Sequence, residues 1–136
     1  MKYFMKIKHF LLSIVLFCAI QTVSAQELRK NGSSFGTVES DGTVRLGGSS
    51  KGKFESDGTI RVNGSSVGKI ESDGTIRKNG SSIGKVESDG TVRINGSSVG
   101  KIESDGTIRK NGSSVGSAKG VRKEHAAVMF FFDFFN

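Results

Sequence analysis

The stretch Ile60-Arg61-Val62-Asn63-Gly64-Ser65-Ser66-Val67-Gly68-Lys69-Ile70-Glu71-Ser72-Asp73-Gly74-Thr75 decides the fold, because it returns at a fixed step of 16 residues. Glu-Ser-Asp-Gly begins at Glu39, Glu55, Glu71, Glu87 and Glu103. Asn-Gly-Ser-Ser begins at Asn31, Asn63, Asn79, Asn95 and Asn111, with Gly47 in place of Asn in the second copy. A fixed period marks each unit as one supersecondary element that buries its apolar side only against its neighbours. Thr-Ile-Arg and Gly-Lys-Ile-Glu are short, rich in β-branched residues and bounded by Gly, Asn, Asp and Ser, which are strand and turn signals. The chain has no Pro, and no apolar period of 3.6 residues before residue 121.

The two turns of the unit differ. Cross-strand partners share a face of the sheet. A two-residue Asp-Gly loop would set Ile70 opposite Arg77, whereas a three-residue Ser72-Asp73-Gly74 loop sets Ile70 opposite Ile76 and Lys69 opposite Arg77. Only the second register separates the apolar pair from the charges, so it is expected in all five copies, as a type I turn followed by a left-handed Gly. In the other turn, Asn and Gly both tolerate positive φ, and the exchange of Asn for Gly47 is one a left-handed position accepts. Gly36, Gly52, Gly68, Gly84 and Gly100 recur two residues before an inward Val, Phe or Ile, which marks a bulge or a close backbone approach.

The expected inward set is Leu28, Val44, Ile60, Ile76, Val92 and Ile108 on one kind of strand and Val38, Phe54, Ile70, Val86 and Ile102 on the other. Phe35, Val67, Ile83, Val99 and Val115 form a third ring. Leu28-Arg29-Lys30-Asn31 copies the outgoing strand of the unit, so the chain begins with half a unit that is expected to pair with the last repeat and remove the exposed edge. A ring of Val and Ile leaves a hole, while protein interiors pack to a density of about 0.75. Ala126 to Phe135 carries five of the ten Phe and follows the polar run Arg122-Lys123-Glu124-His125. A helix that is apolar all round is a buried one. The sequence therefore predicts a helix from Arg122 to Phe135, about 21 Å long, as a plug in the centre of the ring. A homodimer interface through this Phe-rich end and a membrane contact are the rival readings, and the apolar run is too short to span a bilayer. Asp133 is expected at the rim or paired with Arg or Lys, since a buried carboxylate needs a partner.

Residues 1–25 read as a signal peptide: Lys2, Lys6 and Lys8 precede the apolar run Leu11 to Ile20, and Val23-Ser24-Ala25 fits signal peptidase, with cleavage after Ala25. Cys18 follows Phe17 rather than the small residue a lipobox requires. The organisation is then a signal peptide (1–25) and one repeat domain (26–136), with hairpin repeats over 27–116 and the apolar plug over 117–136. The expected location is secreted or periplasmic. Three of the 20 basic residues lie in the signal, leaving 17 against 13 acidic ones, a net charge of +4. Arg and Glu recur with the repeat, so no clustered basic face points to nucleic acid.

No constellation carries chemistry. After signal removal no Cys and a single His, His125, remain. Calcium would need more oxygens than the two carboxylates of a unit offer, and the Asp has a sufficient role as a turn residue. The reading is of a non-enzyme with no catalytic, cofactor or metal site.

The Asn-Gly-Ser-Ser and Ser-Asp-Gly-Thr runs, with the Phe-rich end, resemble the five-fold β-flowers, a family of small secreted bacterial repeat proteins, over residues 27–136. The resemblance implies five hairpin repeats around an axis with an apolar C-terminal segment, and it brings no activity with it. The fold class expected is all-β: five 16-residue β-hairpin repeats in a closed or nearly closed ring around that helical segment. Two functions fit. One is a structural or interaction module presenting a rigid polar rim to a protein or cell-surface polymer. The other is a multivalent carbohydrate-binding module with one weak site per repeat, although the mature chain lacks Trp and Tyr.

Overall fold

The computed structural model describes residues 26–135, and the expected signal peptide lies outside them. Twelve strands follow one another: β1 (Glu27–Lys30), β2 (Ser33–Val38), β3 (Thr43–Leu46), β4 (Ser49–Phe54), β5 (Thr59–Val62), β6 (Ser65–Ile70), β7 (Thr75–Lys78), β8 (Ser81–Val86), β9 (Thr91–Ile94), β10 (Ser97–Ile102), β11 (Thr107–Lys110) and β12 (Ser113–Ser117). A helix, α1 (Lys123–Phe131), comes last. Each strand pairs antiparallel with its neighbours in sequence, and β12 pairs with β1 through Arg29↔Ser117 and Lys30↔Gly116. The ring is closed. Counted at the Ser-Asp-Gly turns it has five hairpins, and the half unit at the start makes the seam with β12, which leaves no strand edge open to aggregation.

The register follows from the face argument. Ile70 lies opposite Ile76 and Lys69 opposite Arg77. Glu71 N donates to Thr75 O at 2.8 Å and Gly74 N to Glu71 O at 3.0 Å, with Gly74 at φ 92°. At the other end Val62 faces Ser65, so Asn63 and Gly64 alone form the loop, at φ 50° and 85°. Both central residues are left-handed, as in the type I′ turn whose twist suits a hairpin, and Gly47 takes the same position at φ 59°. The expected bulge is present too. Ile60 pairs with Gly68 but Arg61 with Ser66, which leaves Val67 as the extra residue.

Leu28, Val44, Ile60, Ile76, Val92 and Ile108 are fully buried, and Val38, Phe54, Ile70, Val86 and Ile102 nearly so. Phe35, Val67, Ile83, Val99 and Val115 are half-buried against that core. The chain turns at Ala118–Val121, at the Ser-Asp-Gly end, and α1 enters the ring from there. Ala126, Ala127 and Val128 are fully buried within it.

The helix is shorter than the sequence suggests. It ends at Phe131, and Phe132 is already extended at φ −121°, ψ 150°. Nine residues rise about 13.5 Å, while the six-residue strands span about 20 Å. A helix continued to Phe135 would rise about 19.5 Å and keep its last rings around a single axis. The extended end instead lays them against the wall.

The helix is also off centre. Its backbone packs against β8 and β10. Across the ring from these, β2 and β4 carry the two large exceptions of the repeat, Phe35 and Phe54. Phe54 stacks on His125 with centroids 4.1 Å apart, and Phe35 meets Phe130 edge-on at 5.5 Å. The broken symmetry of the sequence thus compensates for one helix lying to one side of a symmetric ring.

Candidate functional site

Two surfaces repeat with the unit: the outer wall and the mouth at the Asn-Gly end. On the outer wall, Glu, Arg, Lys and Thr occupy the face opposite the core. Arg61 Nε lies 3.0 Å from Glu55 Oε2, and Arg61 Nη1 donates to the carbonyl of Gly64 at 3.2 Å. Arg45, Arg77, Arg93 and Arg109 make the equivalent ion pairs at 3.1–3.3 Å, and Arg29 reaches Glu27 at 2.7 Å. Arg29, Arg77, Arg93 and Arg109 also hold the loop glycine carbonyl. The guanidinium of Arg29, Arg61, Arg77, Arg93 and Arg109 thus joins a glutamate to a carbonyl of the Asn-Gly loop. Lys53, Lys69, Lys85 and Lys101 stand directly opposite arginines across the strand pairs.

At the Ser-Asp-Gly end, each Asp closes its own turn. Asp73 Oδ1 accepts from Thr75 N at 2.9 Å, and Asp41, Asp57, Asp89 and Asp105 do the same at 2.9–3.0 Å. The backbone N–H and then the hydroxyl of that Thr hold each carboxyl below the usual carboxylate range. Among the described residues no three His, Cys, Asp or Glu converge as a metal site requires. No described helix is long and apolar enough to cross a membrane. His125, set between Phe54 and the polar entry of the helix, has its pKa lowered to about 4, first by burial and then by the charge of Arg122.

The mouth is built by the bulges. Gly52 and Phe54 share the inward face of β4, so the bulge glycines line the inner wall. A Cβ added at Gly116, Gly100, Gly84, Gly68 or Gly52 would come within 2.8 Å of a ring carbon of Phe130, Phe131, Phe132, Phe134 or Phe135, respectively. Each glycine is therefore the seat of one ring, and the tail takes the seats in reverse order of the repeats. Over the sixth, Gly36, the nearest side chain is Leu46 instead. Asp133, skipped in this sequence of seats, is exposed at the rim, where its backbone carbonyl accepts from Lys78 Nζ at 2.6 Å. The same end carries two more lysines: Lys30 Nζ lies 5.6 Å from the Phe35 centroid and Lys110 Nζ 5.2 Å from that of Phe131, within cation–π range.

The repeat pattern did not single out these lysines. The position before the Asn-Gly loop holds Lys30, Leu46, Val62, Lys78, Ile94 and Lys110 in turn, and against a periodic background that variation reads as noise. Strand parity finds it: the position is two residues beyond the buried Leu28, Val44 or Ile60, and so faces inward.

A family model described as 5-fold beta-flower protein matches residues 25–135. The chain belongs to the 5-fold beta-flower proteins. Neither the curated proteins nor the solved structures hold a match to it. The flower's petals are the hairpins, and its centre is the tail.

Proposed function

We propose that this flower is a secreted or periplasmic, non-enzymatic interaction module, released by cleavage after Ala25, whose outer wall meets a protein or a cell-surface polymer carrying charges at matching intervals. The observation that supports this most is the brace repeated around the wall, in which Arg is held between a Glu and a loop carbonyl. A surface ion pair contributes only about 0–1 kcal/mol to stability, so its regular return says more about where charge is held than about holding the ring together. Fixed side chains lose little entropy when a partner binds. Weak contacts in register add through effective concentration.

The carbohydrate alternative finds less support. Every described Phe belongs to the core or packs against it, so the outer wall has no aromatic platform for a sugar ring.

The test is binding of the exported protein to cell-envelope material and to a glycan array. Arg61→Gln, Arg77→Gln and Arg93→Gln are then combined stepwise. The expected result is salt-sensitive binding to envelope material that weakens with each substitution. Glycan binding indifferent to all three would replace this reading with the sugar-binding one. Mass spectrometry of the exported chain should show Gln26, or its cyclised form, at the N-terminus. An acylated Cys18 would refute the export route.

A further inference from the structure

We propose that the mouth at the Asn-Gly end is a binding site for a small single-chain anionic amphiphile, with its tail in the cavity beside Leu46 and its acid head on Lys30. This goes beyond the outer-wall reading and does not depend on it.

The argument begins from the displaced helix. With α1 against β8 and β10, the opposite side of the mouth keeps a cavity of about 270 Å³, walled by Phe35, Leu46, Met129, Phe130 and Phe135 among others, with Lys30 and Asp133 as its charged members. It lies at the one bulge glycine where Leu46 rather than a tail phenylalanine comes closest. At about 30 Å³ per water-sized group, the space suits roughly nine non-hydrogen atoms, the size of a short acyl or aryl acid. Most of its lining residues are apolar, while the surface they leave open is more polar than apolar and partly open to solvent, which suits a ligand with a polar head at the mouth.

Charge selects the sign of the head. Among the described residues, Lys30, Lys78 and Lys110 face the mouth against the carboxylate of Asp133. The ammonium of Lys78 is already engaged by the Asp133 carbonyl, while Lys30 stands on the cavity wall. Shape selects a small molecule over a lipid surface. The inward-facing apolar wall is ringed by six exposed two-residue loops from Asn31-Gly32 to Asn111-Gly112. A flat bilayer meets those loops first, whereas a single chain passes between them.

The experiment titrates the exported protein with octanoate, 1-octanol and octyltrimethylammonium, each below its aggregation concentration, followed by NMR. A parallel arm uses phosphatidylglycerol vesicles. Octanoate should saturate, shifting the methyls of Leu46 and Met129 and the ring protons of Phe35, and should bind about tenfold more tightly than the neutral or cationic tail. Lys30→Gln should remove most of that preference while leaving octanol binding unchanged, and Asp133→Asn should tighten octanoate. Both side chains are exposed, so the fold is expected to survive, which circular dichroism checks. Equal binding of all three tails, preference for the cation, shifts away from Leu46, or binding to vesicles without binding of octanoate would each overturn the proposal.

Discussion

The seating of tail rings on bulge glycines makes a quantitative claim about Gly84 and Phe132. A Cβ at Gly84 would stand 2.5 Å from the Arg93 carbonyl oxygen and 2.6 Å from Phe132 Cζ, both closer than real Cβ atoms come. Gly84→Ala is an overpacking change, expected to cost about 1–3 kcal/mol. Phe132 is 8% exposed, and Phe132→Ala removes a core ring at about 3–5 kcal/mol. For a domain near this size each kcal/mol moves Tm by roughly 4–8 °C, so the second change alone lowers it by well over ten degrees. The two effects should not add. Removing the ring clears one of the two obstacles to the new methyl and leaves the carbonyl in place, so the double variant should be more stable than the sum predicts by about 0.5–3 kcal/mol. Gly96→Ala is the control. No atom lies within 4 Å of its Cβ position, but φ is 83°, so it costs about 1–2 kcal/mol through backbone conformation alone and should add to Phe132→Ala. Urea and thermal melts of the five variants measure the coupling. Additivity at Gly84 and Phe132 would refute the seat.

Three further outcomes follow. His125 titrates near 6.5 when unfolded and at about 4 in the ring, mainly through burial; the folded state therefore binds fewer protons. Stability should be full above pH 6.5 and fall as the pH drops towards 4, by no more than about 3 kcal/mol before solvent screening reduces it; His125→Gln should flatten that slope in melts at graded pH. Truncation after Lys123 removes the five tail rings and should abolish cooperative unfolding or give insoluble protein, whereas an unchanged melting temperature would mean the tail is not the core. At φ 50°, Asn63→Gly should change stability by a few tenths of a kcal/mol, and Asn63→Ala should cost about 1–2 kcal/mol, as read from urea midpoints.

The ring was legible because its information is local and repeated. The requirement that Ile70 face Ile76 selects one loop length, and that loop length sets the register of every hairpin. Gly47, standing where the other units carry Asn, marks that position as left-handed. The copied Leu28-Arg29-Lys30-Asn31 strand announces the seam. The tail was legible only in kind. Its composition shows that it is buried, but periodicity cannot say where a helix stops when every face is apolar, and the stop at Phe131 lets Phe132, Phe134 and Phe135 reach the glycine seats. The match of Phe132 to Gly84 and of Phe134 to Gly68 is likewise a relation between distant segments that leaves no trace in either one. The lysines of the mouth were hidden for a related reason: a repeat draws attention to what is constant, and these side chains are where the units differ.

The reverse-order seating of the five rings turns the tail into a tally of the petals. Duplicating one 16-residue unit, the easiest change for a repetitive gene, would widen the ring by two strands and add a second glycine, after Gly36, with no phenylalanine to cover it. Deleting a unit would leave five glycines for five rings and push one ring onto Gly36, where Leu46 now lies. Petal number and tail length are therefore coupled, with the Leu46-covered seat at Gly36 as the single step of slack, and the non-repetitive end of the chain limits the size of the repetitive part.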